Sequence, residues 1–336
     1  MVRQTSAGRM VRWIAVAVSI AFIGGGIANA QVIQVDPKLP AYTPAQGVSG
    51  NLSSVGSDTM NNLMTLWAEG FKKFYLDVNV QIEGKGSSTA PPALIAGTAQ
   101  FGPMSRAMKS KEVDAFDNKY GFKPARLRVA MDGLAVYVNK DNPLRQRSLE
   151  QIDAIFSKTR KRGFLRNVLT WGHLGLTGDW ATRQISLYGR NSASGTYGFF
   201  KSKVLKKGDY KDEVKEQPGS ASVVQGITED LGGIGYSGIG YRTSGVKTLT
   251  VAKKQGAKAY APTFTNVTNK KYPIGRFLNL YVVKNPTRPL DPLRREFVKF
   301  VFSKEGQRIV VKDGYLPISA KIAAKELRKI GLDRSM

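Results

Sequence analysis

Apolar residues recur along this chain with two periods, one typical of helices and one typical of strands. From Thr59 onward they fall three or four positions apart, which predicts a helix with a buried face. That face consists of Met60, Leu63, Met64, Trp67, Phe71 and Phe74. Residues 78–82 alternate apolar and polar, which predicts a half-buried strand. The two patterns together indicate a mixed α/β fold.

The same rhythm continues downstream. Pro91 and Pro92 fit the first turn of a second helix that ends at Gly97, and residues 99–102 predict a short strand. Further helices are predicted at 149–156, at 195–205, around 223–227, at 297–302 and over 306–311, with a strand at 184–188. Residues 232–237 are glycine-rich and predict a close turn into a strand.

Two apolar segments are similar to one another, at 134–143 and 278–286, and each is closed by a basic turn and a proline. They fit two crossovers between lobes, and they also fit two unrelated buried strands. The order of elements predicts that the chain leaves one lobe, builds a second and returns. We therefore expect an extended lead-in at 31–48, a first lobe at 49–135 and 277–336, and a second lobe at 136–276.

The first thirty residues predict a cleavable signal peptide. Arg3, Arg9 and Arg12 form a basic region, residues 13–23 an apolar stretch, and Ala28-Asn29-Ala30 a small-residue cleavage site. A membrane anchor is the alternative, but this apolar run is short for a bilayer. The chain contains no cysteine, which excludes disulfides, thiolate metal sites and a lipoprotein anchor. Together these features predict a periplasmic protein.

A strong positive charge indicates anionic partners. Removing the leader, with three arginines and no acidic residue, lowers the formal net charge from +26 to +23 and leaves about 306 residues. Nucleic acid, anionic lipid and a small anion are the candidates, and a merely solvated basic surface is the alternative. Nucleic acid is disfavoured, because the basic clusters lack the interleaved aromatics of a stacking platform.

Three Ser/Thr/Gly turns stand where helices are predicted to begin, at 56–60, 86–89 and 190–196. Such turns present hydroxyls, free backbone N–H groups and the positive end of a helix dipole, which favour an oxyanion. Arg190 adds a permanently charged bidentate fork, and Gly195 allows close backbone approach. Each turn alone is explained equally well as a helix cap, with Ser57 or Asp58 capping the first helix.

In their order and spacing these motifs resemble the periplasmic phosphate-binding proteins of bacterial phosphate-specific ABC importers. The resemblance rests on Gly-Ser-Asp-Thr-Met, on Gly-Ser-Ser followed by Ala-Leu-Ile-Ala-Gly-Thr-Ala-Gln-Phe-Gly, and on Arg-x-x-x-Ser-Gly-Thr, and it covers about residues 50–320. It implies a two-lobed periplasmic-binding-protein fold of type II, with a sheet flanked by helices in each lobe, two hinge crossovers and phosphate in the cleft. The implied ligands are Thr59, Met60 through its N–H, Ser87, Ser105, Arg190, Ser194, Gly195 and Thr196.

Two positions depart from the family pattern. Ser105 stands where an aspartate often accepts the phosphate proton, and Ser192 replaces an aspartate two residues after the arginine. A carboxylate would repel fully ionised sulfate, whereas a serine does not. Selection of phosphate over sulfate or arsenate therefore stays open. Asp58, Ser88 and Arg106 are possible additional ligands, with helix capping for Asp58 and surface placement for Arg106 as the alternatives.

Enzyme and metal chemistry are weakly supported. His173 is the single histidine and is expected to be structural, since no cysteines or further histidines could complete a metal site. The nucleophile-elbow and P-loop patterns are absent. Gly233, Gly235 and Gly238 match a dinucleotide fingerprint without its context, so a tight turn explains them better. We expect no catalytic residues and no cofactor.

Two function classes remain. The first is a monomeric, non-catalytic phosphate-binding protein that delivers its ligand to a membrane permease. The second is a secreted phosphomonoesterase or a phosphate-dependent adhesion protein. A binder of another tetrahedral oxyanion, sulfate or arsenate, is a further alternative.

Overall fold

A computed structural model describes Met1 and residues 33–332 of the chain. The predicted signal peptide, apart from Met1, lies outside the described residues, as do the first two residues of the lead-in. The strands of the described part are β1 (Gly50–Val55), β2 (Val78–Glu83), β3 (Phe101–Met104), β4 (Ala125–Gly133), β5 (Ala135–Asn139), β6 (Gln146–Ser148), β7 (Ser186–Arg190), β8 (Lys215–Gln217), β9 (Gly233–Ser237), β10 (Val246–Thr248), β11 (Thr250–Ala252), β12 (Ala259–Tyr260) and β13 (Gly275–Val282).

Helices connect many of these strands, and three more follow the last strand. They are α1 (Asn61–Lys72), α2 (Ala90–Ala96), α3 (Ser110–Tyr120), α4 (Leu149–Phe156), α5 (Gly195–Lys203), α6 (Ser220–Glu229), α7 (Phe264–Thr268), α8 (Pro292–Phe302), α9 (Lys304–Lys312) and α10 (Ala320–Arg328). No helix of the described residues is both long and apolar enough to cross a membrane.

The first sheet has the strand order β2-β1-β3-β13-β4. β1 runs parallel to β2 and β3, whereas β13 is antiparallel to β3 and β4. Helices α1 and α8 pack on this sheet through buried aromatic and aliphatic side chains. Trp67, Phe71 and Phe297 are fully buried members of this core. We call this sheet and its helices the first lobe.

The second sheet has the order β10-β5-β9-β7-β8, in which β7 is parallel to β8 and β9. β5 pairs antiparallel with β9 and β10. A small sheet of β12-β11-β6 packs beside it, and both share a core with α4 and α5 that contains Phe156, Trp171 and Phe200. This is the second lobe.

The chain changes sheets twice. β4 of the first sheet is followed, after the single residue Leu134, by β5 of the second sheet, and β13 returns to the first sheet after β12. The predicted α/β architecture with two lobes and two crossovers is therefore confirmed. The exact domain boundaries given above stay predictions.

Most of the elements read from periodicity are present. Pro91 lies in the first turn of α2, and Gly97 ends that helix in the left-handed conformation, with φ of 75°. The lead-in forms no helix or strand over residues 33–48, and its side chains Leu39, Tyr42 and Val48 are buried in the first lobe.

One local prediction is wrong, and two others are confirmed only in part. Phe74 was expected on the buried face of α1, but α1 ends at Lys72 and the Phe74 side chain is exposed. A turn at 231–232 leads into strand β9, as predicted, but Gly233 and Gly235 lie in the buried strand and not in a tight turn, because their missing side chains leave room for Tyr188 on the neighbouring strand. The helices predicted at 297–302 and 306–311 are both present but begin earlier, at Pro292 and Lys304, and they meet at Ser303, whose hydroxyl accepts a hydrogen bond from the Gly306 N–H at the start of α9.

Candidate anion-binding site

Four buried hydroxyl groups from both lobes meet in one place, which we call the hydroxyl cluster. Thr59 Oγ1 lies 2.8 Å from Thr196 Oγ1. Ser105 Oγ lies 3.5 Å from Thr196 Oγ1 and 3.3 Å from Ser87 Oγ. All four residues are at most 1% exposed. Because a hydroxyl both donates and accepts, these groups can turn their donors toward a common anion.

The first-lobe members of the cluster follow three neighbouring strands. Thr59 lies in a 3₁₀ turn after β1, Ser87 in a 3₁₀ turn after β2, and Ser105 directly after β3. These strands are parallel neighbours, so their carboxyl ends share one edge of the sheet. That edge is where open α/β sheets usually hold ligands.

The second lobe contributes the N-terminus of α5. Ser194 caps this helix, since its Oγ accepts hydrogen bonds from the N–H groups of Thr196 and Tyr197 at 3.1 and 3.4 Å. Gly195 is required by close packing, because a Cβ there would lie 2.2 Å from Ser87 Oγ. The helix dipole therefore points its positive end into the hydroxyl cluster.

A main-chain contact also joins the two lobes. The Ser88 N–H donates to the Ala193 carbonyl at 3.1 Å. Gly86 stands next to it with φ of 118°, and a Cβ there would lie 2.7 Å from the same carbonyl oxygen. This position therefore requires glycine both for its backbone conformation and for its packing.

Arg190 ends β7 beside the cluster and is 1% exposed. Its Nη2 lies 3.0 Å from Asp58 Oδ2, and its Nη1 donates to Ser220 Oγ at 2.7 Å. Burial lowers the pKa of Arg190 from its ordinary value, and the charge of Asp58 opposes that effect. Among the described residues its Nε is buried without a hydrogen-bond partner, so this guanidinium has one uncommitted N–H donor.

Asp58 connects the lobes and does not cap its own helix. Besides pairing with Arg190, its Oδ2 accepts a hydrogen bond from the Ser220 N–H at 2.8 Å, at the start of α6. Neither Ser57 nor Asp58 makes a side-chain cap on the turn that precedes α1, so the predicted capping role is wrong. With Ser192 in place of the family aspartate, Asp58 is the carboxylate that accompanies Arg190.

Arg276 of β13 is a site residue that sequence reasoning missed. Its Nη2 donates to Thr196 Oγ1 at 2.9 Å and its Nη1 to the Ser105 carbonyl at 2.9 Å. Its Nε donates to Asp132 Oδ2 at 2.8 Å, and both side chains of this ion pair are buried. The sequence did contain a signal for this pair. Arg276 and Asp132 each stand in an apolar stretch of the sequence, and buried charges need partners.

The other predicted residues lie at the margin of the cluster. The Met60 N–H donates to the Ser57 carbonyl at 3.1 Å, and its side chain belongs to the first-lobe core. Arg106 is not a surface charge. It forms a two-point ion pair with Glu112, each contact 2.7 Å long, and its Nη2 lies 3.3 Å from Ser88 Oγ. His173 lies in a 3₁₀ turn, where its Nδ1 accepts a hydrogen bond from the Leu169 N–H.

Within the described residues, no group of three or more His, Asp or Glu side chains is arranged to hold a metal ion. The chemistry of the cluster is that of neutral hydroxyls with two guanidiniums, each accompanied by one carboxylate. Such a set binds a compact oxyanion by hydrogen bonds and partial charge.

The fold and this site define a class of protein. The model of the PBP superfamily domain matches residues 41–305, and the chain belongs to this superfamily.

Within that class, the chain is 56% identical to the protein named Phosphate-binding protein PstS of Pseudomonas aeruginosa, over 94% of this chain and 98% of the relative. A Staphylococcus epidermidis protein of the same name is 28% identical over 77% of each chain. Both are named as binding proteins and not as enzymes.

A solved structure has the same fold. It is a substrate-binding protein of Clostridium perfringens, assigned to a phosphate ABC transporter and crystallised with bound phosphate. It superimposes with a TM-score of 0.66 at 25% identity, covering 80% of this chain and 100% of the other. An ABC-type phosphate transport receptor from Vibrio cholerae, at 21% identity and a TM-score of 0.62, shares the fold as well.

Proposed function

We propose that this chain binds inorganic phosphate between its lobes and delivers it to an ABC permease for import. The observation that carries the proposal is the buried hydroxyl cluster, which is flanked by Arg190 and Arg276 and receives the N-terminus of α5. The 56% identity to a protein named for phosphate binding supports it independently.

The donor set is large enough for tight binding. Hydrogen bonds to a charged group contribute about 1.5–3 kcal/mol each, and a helix N-terminus adds about 0.3–1 kcal/mol. Micromolar affinity corresponds to about 8 kcal/mol. Four hydroxyls, the free Nε of Arg190 and the α5 dipole exceed that value before the cost of ordering the lobes is subtracted.

Sulfate and arsenate stay as competing ligands. In the residues described, no carboxylate belongs to the hydroxyl cluster itself, since Ser105 occupies the family aspartate position and Asp58 is paired with Arg190. A hydroxyl accepts the proton of monohydrogen phosphate but does not repel sulfate. Discrimination therefore depends on Asp58 and on cluster geometry.

Calorimetry tests the binding proposal. The protein without its leader is titrated with phosphate, sulfate and arsenate, alongside Thr196→Val and the control Thr228→Val. Thr196 lies in the cluster, whereas the Thr228 hydroxyl donates to the Val224 carbonyl of its own helix. We expect Thr196→Val to weaken phosphate binding about 10- to 100-fold, from the loss of one charge-assisted hydrogen bond. Equal affinities for the two variants would contradict the site.

We further propose that the protein is a non-catalytic monomer of the periplasm, needs no cofactor and has no nucleic-acid partner. The basic leader at 1–30 and the naming of its relatives as binding proteins support this reading. Release of phosphate from a monoester by the purified protein would contradict it.

A further inference from the structure

A second feature rich in positive charge opens next to the hydroxyl cluster. It is a groove of about 560 Å³ between strands β4 and β13 of the first lobe and the second lobe, and we call it the basic groove. Among the residues that the structure describes, five cationic side chains line it and no acidic side chain does. They are Arg162, Lys203, Lys253, Lys270 and Arg276.

The three lysines of the basic groove are not neutralised. Lys203, Lys253 and Lys270 are exposed, and no described carboxylate lies within 4.0 Å of their ammonium groups. Arg162 is held differently, since its guanidinium donates to the Lys203 and Val204 carbonyls at the end of α5 and its charge faces Asp153 and Glu150. The groove therefore keeps an uncompensated positive field.

Arg276 belongs to both features. It lines the basic groove, and its Nη2 donates to Thr196 Oγ1 in the hydroxyl cluster. Helix α5 provides a second connection. Phe199 and Lys203 follow Thr196 by three and seven positions, so the three residues share one face of the helix. Phe199 stacks under the Arg276 guanidinium at 5.2 Å, and Lys203 lies about 10 Å along the helix from Thr196.

We propose that the basic groove is an outer oxyanion site that collects free inorganic phosphate and passes it to the hydroxyl cluster past Arg276. This inference rests on the proposed function. Exposed, unpaired lysines attract an anion without holding it tightly, whereas the buried cluster holds it. Clefts lined with charge of one sign raise association rates by about 10- to 1000-fold.

Association kinetics test the outer site. The chain has no cysteine, so one introduced as Ser192→Cys, at an exposed position two residues before Ser194, is labelled uniquely with an environment-sensitive dye. Stopped-flow mixing with phosphate then gives association and dissociation rates. The groove variant combines Lys203→Gln, Lys253→Gln and Lys270→Gln. The control combines Lys119→Gln, Lys321→Gln and Lys325→Gln, exposed lysines outside the groove that change the net charge equally.

At low ionic strength we expect the groove variant to associate about five- to tenfold more slowly, and the control less than twofold more slowly. Dissociation rates should stay unchanged. In 1 M salt, where the Debye length is about 3 Å, the difference should disappear. Equal slowing in both variants, or a change confined to dissociation, would overturn the outer site.

A second measurement separates this inference from the proposed function. In Arg190→Ala protein with ¹³C-methylated lysines, phosphate should shift the NMR signals of the three groove lysines at millimolar concentration. If these shifts occur but the unmodified protein lacks tight phosphate binding, the proposed function fails and the outer site stands. If tight binding occurs without these shifts, the outer site fails. Groove-dependent sedimentation with phosphatidylglycerol vesicles would instead identify lipid headgroups as the source of phosphate and overturn the assignment to the free ion.

Discussion

Two buried arginines reach the same site from different lobes, and their surroundings differ. Arg276 pairs with Asp132 directly across the β4–β13 register, within one sheet, and all three of its guanidinium nitrogens have partners. Arg190 pairs with Asp58 from the other lobe, and its Nε has no partner. The first arginine is part of the scaffold, whereas the second completes its contacts only where the lobes meet.

This difference separates positioning from binding. Arg276 holds the Thr196 hydroxyl and the Ser105 carbonyl in place. Its contribution is therefore mainly to position these groups. Arg190 retains a donor, and a buried unsatisfied N–H is costly unless something accepts from it. The following four predictions test this division and extend it.

Arg190→Ala should abolish tight phosphate binding without unfolding the protein. It removes the uncommitted Nε donor, worth about 1.5–3 kcal/mol, together with a buried positive charge beside the cluster, so we expect a loss of about 100-fold or more. Calorimetry gives the affinity and circular dichroism the fold. Arg242→Ala, at an exposed arginine of the second lobe, is the control. Unchanged phosphate affinity in Arg190→Ala would refute the assignment of this site.

Asp132→Asn should lower stability more than it lowers affinity. Removing one partner of a buried ion pair leaves an uncompensated charge and costs about 3–5 kcal/mol. Urea unfolding measures this free energy, with Asp141→Asn as the control, since that carboxylate pairs with Lys140 at the surface. An equal effect from both substitutions would show that Arg276 does not depend on its strand partner.

Asp58→Asn should lower the preference for phosphate over sulfate by about tenfold. The variant removes a negative charge beside Arg190 while keeping an acceptor for the Ser220 N–H. A like charge disfavours the fully ionised sulfate more than a protonated phosphate, and a tenfold ratio is about 1.4 kcal/mol. Parallel titrations with both anions measure the ratio. If it does not change, selection must come from cluster geometry alone.

A third aspartate extends the comparison, because no cationic side chain in the described part of the chain pairs with Asp313. Its Oδ1 accepts from Asn62 Nδ2, and its Oδ2 is buried without a partner. Burial raises the pKa of Asp313 from 3.8 to about 6, against a smaller opposing effect of Asn62. Since the folded state holds this proton more tightly, its stabilising contribution is present at low pH and is lost as the pH rises through about 6.

Between pH 4 and pH 7 the unmodified protein should therefore lose about 1–2 kcal/mol of unfolding free energy relative to Asp313→Asn. This is less than the free energy that corresponds to the full shift in pKa. Urea unfolding of both proteins across this range measures the difference. A difference that does not vary with pH would contradict the raised pKa.

The predictable parts of this molecule are those encoded locally. The turns carrying Thr59, Ser87 and Thr196 were found because a strand, a Ser/Thr/Gly run and a helical period follow one another within a few residues. The structure brings these turns together in space. The sequence of each turn taken alone does not indicate that they meet. Their role as phosphate ligands stays a prediction.

The parts that sequence reasoning missed depend on distant pairs. Arg276 and Asp132 are 144 positions apart, and each looks like an isolated charge in an apolar strand until the register of β4 and β13 is known. Asp58 was read as a local cap because the sequence does not reveal that α6 begins opposite it. Phe74 followed the helical period, but the helix ended before reaching it.

The contact between Ser88 and Ala193 uses only peptide groups. Apart from proline, every amino acid supplies the same amide hydrogen at position 88 and the same oxygen at position 193. A library randomised at these two positions, without proline at position 88, would therefore vary the side chains next to the hydroxyl cluster while keeping this hydrogen bond. Such a library would separate the effect of side-chain chemistry at this point from the effect of losing the contact between the lobes.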